Sequence, residues 1–356
     1  MAVINFVPYT CLNNYVCACK QIDDISEVPI DEQCIISRYV ANPFLINGLK
    51  FDLRLYVCVT SMDPWRIYMY NEGLVRFASE PYDITLGKGA KYSHLTNFSI
   101  NKKNERYVNN ASADLDDCGH KWSLNALTRH LEQVGIDMDL MWSRIYDVVL
   151  KSLLCVDGQI QAQLKKMTHK SNCFELLGYD VLIDSDLKPW LMEVNLSPSL
   201  ATESPLDLKI KSQLFVDTMN LISMRKFDRR RENITKMKNR FKNIMRAKSY
   251  QSRQNYPNSA AASKHGVLGE DKVRRRDPED WIGESKKQQA MEKITAMNNR
   301  FRDIVRETLV ENQRKNNFIR IYPTRHSDIY DQFFMQQRPL HKMLYKALFS
   351  DEFIPF

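Results

Sequence analysis

Residues 175–199 read ELLGYDVLIDSDLKPWLMEVNLSPS, two short apolar runs around a polar turn. Leu176 to Ile183 is aliphatic and aromatic and predicts a buried strand. Asp184, Ser185 and Asp186 predict the turn, and Pro189 to Val194 the returning strand. Asp180 interrupts the first run, while Glu193 and Asn195 stand two apart at the end of the second. Side chains alternate faces along a strand, so Glu193 and Asn195 share one, and in a hairpin Asp180 can fall across from them. Two carboxylates and a carboxamide oxygen suit Mg²⁺, which binds hard oxygens and keeps positions open for nucleotide phosphates. The alternative is a structural hairpin with polar residues at its rim. Acids inside apolar strands are rarely buried without a partner, which favours the metal.

Working outward, residues 31–207 alternate strand and helix signals. Phe51 to Thr60, Arg66 to Tyr70 and Leu74 to Ala78 are strand-like, the last after an Asn71-Glu72-Gly73 turn. Ser123 is a helix N-cap candidate for a helix through Leu131, and Met138 to Leu154 carries apolar residues at helical spacing. Lys50, Asp52 and Arg54 alternate along KFDLR and project to one face. They make a poor core and a reasonable phosphate and ribose clamp, or an exposed strand face with a local ion pair. Arg76 lies between apolar neighbours in LVRFAS, as a structural ion-pair partner or as a functional cation.

At 356 residues, with 44% hydrophobic and 26% charged, the chain can hold one good core plus extensions. No apolar run approaches a membrane span, and the amino terminus lacks the basic start of a signal peptide. The eight cysteines are scattered, as expected of reduced cytosolic thiols. The net charge of +8 is concentrated: from Arg225 to Lys248 eleven Lys or Arg face two acids, so the remainder is essentially neutral. Such a segment expects a polyanionic partner. Residues 249–289 are polar and read as a flexible linker. Flanking it, ENITKMKNRFKNIMR (232–246) repeats as EKITAMNNRFRDIVR (292–306), nine of fifteen positions being identical. Ile234, Met237, Phe241 and Ile244, like Ile294, Met297, Phe301 and Ile304, recur at helical spacing, so each copy predicts an amphipathic helix. Either the stripes pack onto the core, or the copies dock to something acidic. The basic face of the first copy favours docking there, and the mixed face of the second leaves the choice open.

The segment GYDVLIDSDLKPWLMEVNLSPSL resembles the metal-binding segment of the tubulin–tyrosine-ligase-like enzymes, which are ATP-grasp amide ligases. ISRYVANPFLINGLKFDLRLYVCVTS (36–61), NEGLVRFAS (71–79) and YSHLTNFSINKKN (92–104) resemble further blocks of that family in the same order. The nearest branch is the polyglutamylases, and NNFIRIYPT (316–324) is similar to the tail of one. The resemblance implies an α+β fold, an ATP-grasp-like core followed by basic amphipathic helices. The division expected is a non-matching segment over 1–30, a partial ligase core over 31–222, a basic helix over 223–250, a linker over 251–289, and a second repeat helix with a carboxyl-terminal extension over 290–356. The implied cofactors are ATP and Mg²⁺. The implied partners are free L-glutamate and the acidic tails of tubulin in microtubules, with the protein a monomer in the cytoplasm, on the cytoskeleton, cilium or centriole. No membrane is expected. Nucleic acid is the competing polyanion, but Phe227, Phe241 and Tyr250 are too sparse for a stacking platform.

Carried over residue by residue, the resemblance implies that Asp180, Glu193 and Asn195 hold Mg²⁺, with Glu193 and Arg54 catalytic. It implies nucleotide contacts for Ser37, Arg38, Tyr39, Val40, Lys50, Asp52, Thr96 and Asn97, and substrate contacts for Arg76, Phe98, Ser99 and Lys121. Leu196 stands where elongating members carry histidine, which points to chain initiation. The family's glycine-rich phosphate loop has no counterpart here: no glycine precedes Gly48, and only Lys20 and Arg38 are basic before Lys50. Two readings follow, an ATP-dependent glutamate ligase acting on tubulin tails and a catalytically inactive, truncated microtubule-binding protein.

Overall fold

Fourteen residues, Leu49–Met62, form the longest described strand, and the molecule is organised around it. The computed structural model describes residues 2–6, 19–22, 24–28, 34–167, 173–223, 299–336 and 338–349, with Ile234, Met237 and Phe241. In chain order the strands are β1 (Ala2–Phe6), β2 (Cys19–Ile22), β3 (Cys34–Arg38), β4 (Leu45–Ile46), β5 (Leu49–Met62), β6 (Trp65–Tyr70) and β7 (Leu74–Phe77). They continue with β8 (Lys121–Ser123), β9 (Glu175–Ile183), β10 (Pro189–Asn195) and β11 (Phe318–Tyr322). The helices used below are α1 (Lys91–His94), α2 (Phe98–Asn101), α3 (Leu124–Gln133), α4 (Met138–Leu154), α5 (Asp157–Leu164), α6 (Pro205–Ile222), α7 (Asn299–Gln313) and α8 (Pro339–Phe349). The described fold is therefore α+β, with every strand pairing antiparallel.

Eight strands make one sheet along β10–β9–β5–β6–β11, with β4 and β7 also on β5 and β8 on β7. β1, β2 and β3 form a second, three-stranded sheet. The predicted hairpin is β9–β10. Its turn is fixed by Asp184, whose Oδ1 accepts from the backbone N–H groups of Asp186 and Lys188, both at 2.9 Å, and whose Oδ2 accepts from Trp190 Nε1 at 2.7 Å. Leu187 takes a left-handed φ of 58° there.

Parity along β5 separates two layers. Phe51, Leu53, Leu55, Val57 and Val59 face one side and pack with Leu124, Leu127 and Leu131 of α3 and Met141, Ile145 and Val149 of α4. Full burial of each such aliphatic side chain contributes about 1.5–3 kcal/mol. Tyr56 and Cys58 face the other side, where Leu206, Ile210, Leu214 and Leu221 of α6 cover them. The predicted helices start where their caps stand: Ser123 Oγ accepts from the Ala126 N–H at 2.9 Å, and Asp137 Oδ1 from the Leu140 N–H at 3.0 Å. Glu72, in the predicted turn, adds a second N-terminal cap to α3, accepting from the Leu124 N–H at 2.8 Å.

The chain divides into two compact units, residues 1–222 with 297–356, and residues 223–296. In the first, β11 of the carboxyl-terminal extension pairs with β6. The second repeat copy enters α7, where Phe301 and Val305 are buried and Glu311 accepts from Thr60 Oγ1 at 2.7 Å. For this copy the packing alternative holds at Phe301, while Ile294 and Met297 lie outside the described residues. In the second unit Ile234, Met237 and Phe241 are helical with exposed side chains. The rest of the predicted basic helix and the linker lie outside the described residues.

Candidate functional site

Strand register sets six charged side chains in two rows on the β5 face opposite α3 and α4. In the first row Arg54 of β5 pairs with Asp180 of β9, and Asp180 with Glu193 of β10. In the second, Asp52 of β5 pairs with Arg76 of β7, and Arg76 with Lys121 of β8. Side-chain contacts join the rows. Arg54 donates twice to Asp180, through Nε to Oδ1 and through Nη2 to Oδ2 at 3.0 Å. Arg76 Nε donates to Asp52 Oδ1 at 3.0 Å, and Arg76 Nη2 lies 2.9 Å from Asp180 Oδ2 as well as against Asp52. Bidentate guanidinium–carboxylate pairs of this kind fix orientation as well as charge.

Burial alone would raise the Asp180 carboxyl, but Arg76 and Arg54 outweigh it and hold Asp180 below its ordinary range. Glu193 is shifted the other way, raised by desolvation and by the charge of Asp180, with Arg54, Arg76 and Asn195 opposing. Asn195, opposite Gly178, donates to the Gly178 carbonyl at 3.4 Å. Among the described residues no group of three or more His, Cys, Asp or Glu side chains could hold a metal ion. The candidate donors are two carboxylates and one carboxamide, oxygens of the kind a Mg²⁺ takes beside phosphate and water; both Asp180 oxygens are held by Arg54 and Arg76 here.

At the Lys50 end, Lys50 Nζ donates to Tyr39 Oη at 3.2 Å, and Tyr39 Oη lies 2.8 Å from His94 Nδ1. Lys50 also sits 4.6 Å from the Tyr39 ring centroid, a cation–π contact. Burial, then the Lys50 charge, lower the His94 pKa. Ser37 and Arg38 lie exposed on β3, outside the eight-stranded sheet, and Val40 follows half-buried. Thr96 is half-buried, and Asn97 is exposed at the start of α2. At the other end, Lys121 Nζ donates to Asp207 Oδ2 at 2.7 Å and sits 4.2 Å from the Phe98 ring centroid; Ser99 beside it is exposed.

The sequence-expected residues that come together are thus Asp52, Arg54, Arg76, Lys121, Asp180 and Glu193, with Tyr39 on Lys50 and Phe98 on Lys121. Sequence reading passed over His94 and Asp207. His94 stands in the YSHLTN block, and Asp207 follows a proline-marked helix start, so each had a local signal but none for its distant partner. A cavity of about 490 Å³, lined in part by Trp65, Tyr322 and His341, lies at the far end of the β5–β6 hairpin. Strand rise places it roughly 30 Å from the ladder.

Residues 13–233, more than half of the chain, match the tubulin-tyrosine ligase family. The chain is 38% identical over 339 residues to tubulin polyglutamylase TTLL5 of Homo sapiens, covering 93% of this chain and 25% of that protein. It is 44% identical over 211 residues to tubulin polyglutamylase ttll-5 of Caenorhabditis elegans, covering 58% and 29%. To tubulin monoglutamylase TTLL4 of Homo sapiens it is 47% identical over 199 residues, covering 55% and 16%. The chain spans between 16% and 29% of the length of these relatives. The matched region includes every strand of the charged ladder, and on that coverage the chain belongs to the tubulin-tyrosine ligase family.

Proposed function

We propose that this chain carries catalytic residues of an ATP-dependent tubulin polyglutamylase, which joins the amino group of L-glutamate to a glutamate side chain of a tubulin tail. The supporting observation is the in-register ladder Glu193–Asp180–Arg54 and Asp52–Arg76–Lys121, at positions matching the family's motifs. The names of the relatives support tubulin as the protein acted on.

ATP is the co-substrate whose γ-phosphoryl group makes the acceptor carboxylate electrophilic, so that the incoming amine displaces phosphate from an acylphosphate. Asp180, Glu193 and Asn195 would hold Mg²⁺, which when bound neutralises phosphate charge. Arg54 stands beside the same carboxylate and adds a fixed positive charge near the transferring group. Lys50, braced by Tyr39, and Asp52 serve the nucleotide, with Ser37, Arg38, Val40, Thr96 and Asn97 completing its contacts. Arg76 and Lys121, with Phe98 and Ser99, receive the amino acid. Leu196 in place of histidine favours chain initiation. The protein acts as a monomer in the cytoplasm on microtubules, with the basic segment near residues 225–248 meeting the acidic tails. Among the described residues no helix is long and apolar enough to cross a membrane.

Calorimetric titration of ATP·Mg²⁺ into the purified chain, with Glu193→Gln as control, tests the reading. Binding that the variant loses supports a nucleotide site built on Glu193. A folded chain that binds no nucleotide overturns the enzyme reading and leaves salt-sensitive microtubule docking.

A further inference from the structure

The cavity at the far end of the β5–β6 hairpin takes no part in the reaction proposed above, and one polar atom of its lining residues is left over. Trp65, Tyr322 and His341 are buried there. Both N–H groups of Trp65 are engaged: the indole Nε1 donates to Asp157 Oδ1 at 2.9 Å, and the backbone N–H donates to His341 Nε2 at 3.0 Å. Because Nε2 accepts, the proton of a neutral His341 ring sits on Nδ1. Burial lowers the His341 pKa to about 4, with Asp157 opposing and Arg338 adding to the lowering. Nδ1 is thus an N–H donor, yet it is buried without a hydrogen-bond partner, in a side chain only 4% exposed. The Phe334 ring, 4.9 Å from the His341 ring between centroids, has no oxygen to offer it. Native structures rarely leave a buried donor in this state. Tyr345 and Phe349 make a half-buried wall, with their rings 5.5 Å apart between centroids. The rim is exposed and charged, with Asp328 and Asp331 on the 3₁₀ segment Ser327–Phe333 and Lys342 and Lys346 one turn apart on α8. These four charges sum to zero.

We propose that this cavity is a further binding site, for a small uncharged aromatic molecule whose carbonyl oxygen accepts the hydrogen bond of His341 Nδ1. The inference is independent of the glutamate-ligase reading. A volume of about 490 Å³ is that of a small-molecule site, and aromatic walls with few placed polar groups are the usual lining of one. The balanced rim selects neither sign of charge, so the ligand is held by its ring area and oriented by the single donor at the floor. The lining comes from the β5–β6 turn, β11 and α8, so an occupant touches both the hairpin and the carboxyl-terminal extension.

The test adds acetophenone and ethylbenzene, which differ by one carbonyl oxygen, to the full chain labelled with ¹⁵N-histidine. The His341 ring signals report which nitrogen carries the proton and whether a ligand reaches it. The proton is expected on Nδ1, and acetophenone is expected to shift that signal saturably. His341→Gln keeps an oxygen for the Trp65 N–H and removes the ring donor. In saturation-transfer titrations it is expected to weaken acetophenone by about tenfold and ethylbenzene by less than about twofold. Phe349→Ala, in the half-buried wall, is expected to weaken both ligands alike, and it carries the test if the histidine variant fails to fold. A proton on Nε2, an Nδ1 signal that acetophenone leaves unmoved, or equal losses for the two ligands in His341→Gln overturns the inference. So does unchanged affinity for both ligands in Phe349→Ala.

Discussion

Replacing Arg76 by Met removes the guanidinium that joins Asp52 to Asp180, and the cost follows from what stays behind. The Asp52 and Asp180 side chains are 9% and 6% exposed, so both carboxylates remain desolvated. Breaking a buried ion pair from one side costs about 3–5 kcal/mol. Asp180 keeps Arg54, which places the expectation near the lower end, about 3 kcal/mol. For a core of this size that lowers the melting temperature by roughly 6–12 °C. The sign of the pH dependence is fixed by Asp180, whose folded pKa is depressed. A depressed carboxyl contributes stability that is present above its unfolded value of about 4 and lost as pH falls through the folded value. Arg76→Met shrinks that contribution, so the gap between variant and wild type is widest near neutral pH and narrows as pH falls below about 4. Urea denaturation at pH 7 and at successively lower pH measures it. Asp52→Asn added to Arg76→Met should recover part of the loss, because no uncompensated charge then remains at that position. A neutral-pH difference under about 1 kcal/mol, or one that does not change with pH, would refute the claim that these charges depend on one another.

Three further outcomes are expected. Glu193 has a raised carboxyl, so Mg²⁺-dependent nucleotide binding should begin to fall at a pH above the ordinary glutamate value of about 4.3; titrations from pH 7 downward check this, and an onset below that value contradicts it. Gly73→Ala would place a Cβ 2.5 Å from the Arg54 carbonyl oxygen and 2.8 Å from Leu124 Cδ1. The strand or α3 must shift, costing about 1–3 kcal/mol in urea denaturation. Ser123→Ala removes the side-chain cap of α3 and should cost about 1 kcal/mol by the same measurement; a cost near zero would mean that Glu72 suffices as a cap.

The hairpin carrying Asp180 and Glu193 was legible because its signal is local: apolar alternation, a polar turn and acids at odd places in apolar runs. The common face of Lys50, Asp52 and Arg54 was legible for the same reason, since strand parity is a property of sequence alone. What parity cannot give is the partner across the sheet. That Arg76 would meet both Asp52 and Asp180 depends on β7 and β9 flanking β5, a pairing set by the whole fold. Asp207 was illegible as a partner in the site because Lys121 lies 86 residues away in sequence. The two alternatives for the second repeat copy were equally open in the sequence, since a stripe suits a core as well as a partner. Of the stripe itself, Phe301 is buried and Ile304 half-buried in α7, while Ile294 and Met297 lie outside the described residues.

β5 carries both tasks on one strand, and this has a consequence for how its sequence can vary. Odd positions from Phe51 to Val59 hold the core together, while Asp52 and Arg54 on the even positions hold the ladder. Inserting or deleting a single residue between Gly48 and Asp52 exchanges the two sets, turning charges into the core and apolar groups towards the ladder face. A two-residue change preserves the parity and so can spare the core, yet it moves Arg54 away from Asp180 by about 7 Å. Length variation in this segment therefore has two distinct phenotypes, unfolded for odd changes and folded with a broken ladder for even ones.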